Sequence, residues 1–101
     1  MRGTVYISGQ ITGLPIEEAQ KLFKQAEELL IAYGYKVVNP LTLPHNHGKT
    51  WDEYMREDLI AMLNCTHVLM LSNWQQSKGA KIEHSLAKEI GLKIFYDISE
   101  N

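Results

Sequence analysis

The run His67-Val68-Leu69-Met70-Leu71 is apolar at four consecutive positions and stops at the polar Ser72. A strand with one wet face would alternate. A continuous apolar run of this length is the pattern of a strand covered on both faces, the usual setting of parallel sheets with helices on either side. The neighbouring segments supply those helices. Upstream, Thr50 with Glu53 three residues on matches a capping box. Trp51 then begins a helix ending near Asn64, whose buried stripe is expected at Met55, Leu59, Met62 and Leu63. Downstream, Ser72 to Gly79 form a polar loop. Ala80, Ile82, Leu86, Ala87 and Ile90 then mark another helix, ended by Gly91, and Lys93 to Tyr96 read as a last strand.

The alternation continues toward the N-terminus. Thr4-Val5-Tyr6-Ile7-Ser8 is rich in β-branched and aromatic residues and stops at Gly9. After a loop closed by Pro15, Ala19, Leu22, Phe23, Ala26, Leu29, Leu30 and Tyr33 recur at helical spacing up to Gly34. Lys36 to Asn39 form a short strand, and Pro40 to Lys49 a loop containing His45-Asn46-His47-Gly48. The order βαβαβαβ defines one α/β domain over residues 1–101, a three-layer Rossmann-like or flavodoxin-like parallel sheet of four to five strands flanked by helices. Ligands of such sheets lie outside the carboxyl ends of the strands, which directs attention to the loops Gly9 to Leu14 and Ser72 to Gly79.

Composition narrows the partners. With 10 Lys and Arg against 12 Asp and Glu, and no basic stripe, the footprint of a nucleic-acid-polymer binder is missing. A small phosphorylated ligand stays compatible, because backbone N–H groups at a helix start can hold one. Cys65 is the single cysteine, so no intrachain disulfide forms, as in reducing compartments. Met1-Arg2-Gly3-Thr4 leads directly into a strand, and no apolar run approaches the length of a membrane span. A soluble cytoplasmic protein without a membrane partner is expected. His45 and His47 lack further ligands at suitable spacing, so no metal is expected.

Two carboxylates stand on unexpected faces. Asp58 lies four residues from both Tyr54 and Met62, bordering the apolar stripe, and Glu83 has Leu86 and Ala87 one turn after it. An ionised carboxylate is expensive to bury without partners. Either Asp58 pairs with Arg56, Lys81 or a backbone amide and Glu83 sits on a helix rim, or the two serve chemistry. In the latter case backbone N–H groups at the start of its helix keep Glu83 ionised and nucleophilic, and a second carboxyl with a raised pKa donates a proton. That is the logic of retaining glycosidic-bond cleavage. Gly9 and Gly13 either let backbone approach a ligand or are turn residues. Trp74 either stacks on a base or plugs the sheet edge. Trp51 is expected to pack at a helix start, and His84 to be exposed or interfacial.

Tyr6-Ile7-Ser8-Gly9-Gln10-Ile11-Thr12-Gly13, Asp58-Leu59 and Ser77-Lys78-Gly79-Ala80-Lys81-Ile82-Glu83, in this order and spacing, resemble the nucleoside 2-deoxyribosyltransferase-like family. That group includes deoxyribosyltransferases and nucleoside 5′-monophosphate N-glycosidases. The resemblance implies that Glu83 is the nucleophile, that Tyr6 holds it, and that Asp58 contacts sugar or base as the candidate acid. It also implies that Ser77 meets the 5′ end of the sugar, where a serine goes with monophosphates. Substrate-binding candidates are then Ser8, Gly9, Gln10, Gly13, Trp74, Ser77 and Gly79. Thr12 stands where some monophosphate glycosidases have arginine, and Thr66 where relatives often have aspartate. The expected function is cleavage or transfer of the N-glycosidic bond of a nucleoside or nucleoside 5′-monophosphate through a covalent glycosyl-Glu83 intermediate. It needs no cofactor, and a homodimer completes the site. The alternative is a non-catalytic nucleotide-binding or sensing module using the same crevice.

Overall fold

A computed structural model describes residues 2–43 and 50–97. The loop histidines His45 and His47 lie outside the described residues. Strand β1 (Thr4–Ser8) leads to helix α1 (Ile16–Ala32), and strand β2 (Lys36–Val38) is followed by a 3₁₀ turn at Pro40–Thr42. Helix α2 (Trp51–Leu63), strand β3 (His67–Met70), a 3₁₀ turn at Trp74–Gln76, helix α3 (Lys78–Ile90) and strand β4 (Lys93–Tyr96) complete the chain. The four strands form one all-parallel sheet in the order β2-β1-β3-β4.

Strand periodicity sorts the core into two layers. Val5 and Ile7 of β1 and Leu69 of β3 pack with Phe23, Ala26 and Leu30 of α1 on one face. Tyr6, Val68 and Met70 pack with Met62 of α2 and Ala80 and Ala87 of α3 on the other. All four β3 residues are buried, because β3 is central and covered on both sides. The continuous apolar run therefore carries the three-layer architecture. The chain leaves β1 toward α1 and leaves β3 toward α3, on opposite faces. The adjacent carboxyl ends of β1 and β3 are thus the switch point of the sheet.

The helix starts follow their local chemistry. The Thr50 hydroxyl accepts from the Glu53 N–H, and Glu53 Oε1 accepts from the Thr50 N–H at 2.9 Å, closing the capping box. The inward stripe of α2 differs in part from expectation. Met55, Asp58 and Met62 are buried in α2, whereas Leu63 is 49% exposed. In α3 the buried residues are Ala80, Glu83 and Ala87, with Ile82 and Ile90 exposed. Small residues at 80 and 87 let α3 lie close to the sheet, so its inward line is small, acidic, small. The larger apolar side chains fall on its flanks. No helix among the described residues is long and apolar enough to cross a membrane.

Gly9 is decided by packing. A Cβ there would stand 2.7 Å from Leu71 Cδ1 and 2.9 Å from its Cβ. Gly9→Ala is expected to destabilise the fold by about 1–3 kcal/mol through overpacking. Urea unfolding measures this, and an unchanged midpoint would show that Leu71 yields freely.

Candidate active site

Residues two apart on a strand share a face, so β1 presents Tyr6 and Ser8 together toward α3. Glu83, one turn into α3, comes down between them. The Tyr6 hydroxyl donates to Glu83 Oε2 at 2.7 Å, and the Ser8 hydroxyl donates to Oε1 at 2.6 Å. Glu83 is 4% exposed, and Tyr6 and Ser8 are fully buried. Two neutral hydroxyls thus hold the carboxyl from one strand. Asp58 approaches from α2, is 9% exposed, and acts electrostatically on both Glu83 and Tyr6.

These surroundings set the charge states. Burial pushes the Glu83 carboxyl up to about 7; the hydrogen bonds from Ser8 and Tyr6 pull it down, and the Asp58 charge adds to the rise. The Tyr6 phenol is pushed up by burial first, then by Glu83 and Asp58, so it stays a proton donor.

Glu83, Asp58 and Tyr6 form one wall of a cavity of about 780 Å³. This is within the range of small-molecule sites. Gly9, Ser77 and Gly79 also line it, and Ile11, Ile16, Phe23, Leu41 and Trp51 make its other walls apolar. The cavity sits beside the carboxyl end of β1, enclosed by the segment after β2 at Pro40 and Leu41 and by the starts of α2 and α3. Ser77 is the N-cap of α3 and its hydroxyl accepts from the Ala80 N–H at 3.1 Å. At Gly79 a Cβ would stand 3.0 Å from Met55 Sδ, so the glycine lets α2 and α3 close on each other beside the cavity.

The remaining candidates are placed elsewhere. Ser8 lies behind Glu83, and its hydroxyl is engaged by that carboxylate. Gln10 gives its backbone N–H to Asn73 Oδ1 and its side-chain amide to the Thr12 carbonyl, and lines a separate groove on the α1 side. Gly13 is exposed, with φ +94°, as a turn requires. Trp74 stacks on His84 at 4.2 Å and packs against the core on the α2–α3 face. It does not line this cavity. His84 is half-buried, and its Nε2 is 2.7 Å from the Tyr96 hydroxyl. Thr66, the departure before β3, bonds the Thr4 backbone at the amino end of the sheet, opposite the cavity.

Sequence reasoning missed Trp51 and Lys78 as cavity residues. Lys78 Nζ lies 4.7 Å above the Trp51 ring, and both line the cavity. Adjacent helix starts bring them together, and no spacing along the chain signals that. Among the described residues, no three His, Cys, Asp or Glu side chains gather so as to hold a metal ion.

Fold and cavity define a parallel α/β protein with a carboxylate-walled pocket beside the carboxyl end of its strand β1. The chain belongs to the family described as Domain of unknown function (DUF4406), whose profile matches residues 3–96. No curated protein and no solved structure matches it.

Proposed function

We propose that this chain is a nucleoside 2-deoxyribosyltransferase-like enzyme that cleaves or transfers the N-glycosidic bond of a nucleoside or nucleoside 5′-monophosphate. One observation carries the proposal. Glu83 is a buried carboxyl at the wall of a cavity, with both oxygens held by hydroxyls and a second carboxyl, Asp58, close enough to affect its ionisation. Fixed geometry of this kind favours attack by an oxygen on a bound electrophile.

In the reaction, a Glu83 oxygen bonds C1′ as the bond from C1′ to the base nitrogen breaks. The electron pair leaves with the base, which takes a proton from Asp58; the reactive form is the one in which the proton shared by the two carboxyls sits on Asp58 and Glu83 is ionised. Water or a second base then attacks C1′ and frees Glu83, and the proton released by the incoming nucleophile returns to Asp58. Ser77 and the first turn of α3 face the 5′ group. The apolar walls take the base, excluding water from the glycosyl ester. The same proposal includes a homodimer and a cytoplasmic setting, the latter supported by a single buried free cysteine, Cys65.

The test is incubation with a panel of nucleosides and their 5′-monophosphates, with free base read by chromatography. Asp58→Asn is expected to lower base release about 100-fold or more, the scale of a lost general acid. Base release within about twofold of the native rate in that variant would remove Asp58 from the chemistry. A non-catalytic nucleotide binder draws on one observation. With its carboxyl raised to about 7, a sizeable share of Glu83 is protonated at neutral pH and is then a donor, not a nucleophile. Ligand-induced thermal stabilisation without any base release selects that alternative.

A further inference from the structure

Ser8 and Tyr6 both hold Glu83, yet they stand differently toward the cavity. Tyr6 lines it, while Ser8, the last residue of β1, is buried behind the carboxyl and paired in register with Met70. The two hydrogen bonds divide the carboxylate, Oε1 to Ser8 and Oε2 to Tyr6. We propose that Ser8 is a positioning residue that anchors Oε1 from the strand side, so that Oε2 is the oxygen presented to the substrate. This assignment rests on the glycosyl-transfer proposal above. When Oε2 bonds C1′ and the base departs with the bonding electrons, Oε1 becomes the carbonyl oxygen of the ester and keeps the Ser8 hydrogen bond. A carbonyl oxygen still accepts, whereas the esterified oxygen accepts poorly. Ser8 therefore holds the side chain through both halves of the reaction, and Tyr6 releases its acceptor on attack.

Other groups on this face do not supply the hold. Tyr6 of β1 and Asp58 of α2 are the titratable neighbours that act on Glu83, and Asp58 opposes its charge. Strand β3 contributes Val68 and Met70. Strand β4 contributes Ile94 and Tyr96, whose hydroxyl is engaged with His84.

The experiment labels glutamate with ¹³C at the side-chain carboxyl and follows Glu83 by NMR from pH 4 to 10 in the wild type, Ser8→Ala and Ser8→Cys. The wild-type midpoint is expected near 7. Ser8→Ala removes a hydrogen bond to the charged form, so the midpoint rises by about one unit. Ser8→Cys keeps the volume with a weaker donor and falls between, and it decides the matter if the alanine variant does not fold. In base-release assays at neutral pH, Ser8→Ala lowers kcat about tenfold or more, with KM within about twofold. A Glu83 titration in the cysteine and alanine variants that superimposes on the wild type overturns the assignment, whatever the activity. A shifted titration in a protein that releases no base from any nucleotide upholds the anchoring of Oε1 and overturns the enzymatic proposal instead.

Discussion

Glu83→Gln is expected to reduce base release by about 1,000-fold or more while leaving the protein folded, the scale on which loss of a nucleophile is felt. Glutamine has nearly the same volume and keeps one carbonyl oxygen for a hydroxyl donor. Its NH₂ meets the other hydroxyl, which rotates to accept, since serine and tyrosine hydroxyls do both. The pocket between Tyr6 and Ser8 is therefore refilled without an orphaned polar group. What disappears is the negative oxygen that the proposed reaction bonds to C1′. Chromatography of the reaction with the best nucleotide of the panel supplies the measurement. Turnover within about tenfold of the native rate would exclude a covalent role for Glu83.

The second large effect is on stability. Unfolded, the Glu83 carboxyl ionises around its ordinary value of 4.5; folded, it keeps its proton up to about 7, chiefly because burial disfavours the charge. Between these values the native state binds more protons than the unfolded state, so stability falls as pH rises through this window. Below 4.5 the effect is absent, and above about 7 it is complete. A rise of that size corresponds to about 3 kcal/mol, a large fraction of the stability of a small domain. Glu83→Gln lacks the titration. Relative to wild type, its stability is expected to increase progressively from pH 4.5 to 7.5 and then level off. Urea unfolding of both proteins at pH 4.5, 6 and 8 measures the difference, in which the contributions of other carboxylates cancel. A constant difference across that range would mean that Glu83 titrates normally. The ionised form is thus the less stable one.

Much of this arrangement was legible along the chain. The continuous apolar run at His67 to Leu71 requires cover on both faces, and the capping box at Thr50 and Glu53 places the start of α2. Glycines mark where helices end, as Gly91 does at φ +82°. Asp58 drew notice by bordering the apolar stripe of its helix and Glu83 by projecting toward the core side, and both are buried. The inward stripe of α3 was harder to read, because periodicity counts apolar residues and cannot tell a large flank from a small, closely packed face. Ile82 and Ile90 help mark the helix and lie exposed, while the buried line runs through Ala80, Glu83 and Ala87.

The element order, the parallel sheet with two covered faces and the two oddly placed carboxylates can be read along the chain, because those follow from local periodicity and the cost of burying charge. What the Glu83 carboxylate meets depends on elements far apart in the chain. Tyr6 and Ser8 lie more than 70 residues from Glu83 along the chain, and only the close approach of α3 to β1 gives each carboxylate oxygen its own hydroxyl. Tertiary structure also decided which candidates share the cavity, bringing Trp51 and Lys78 in and leaving Gln10, Gly13 and Trp74 outside. Helix packing angles and loop paths set those distances, and no spacing in a single chain encodes them.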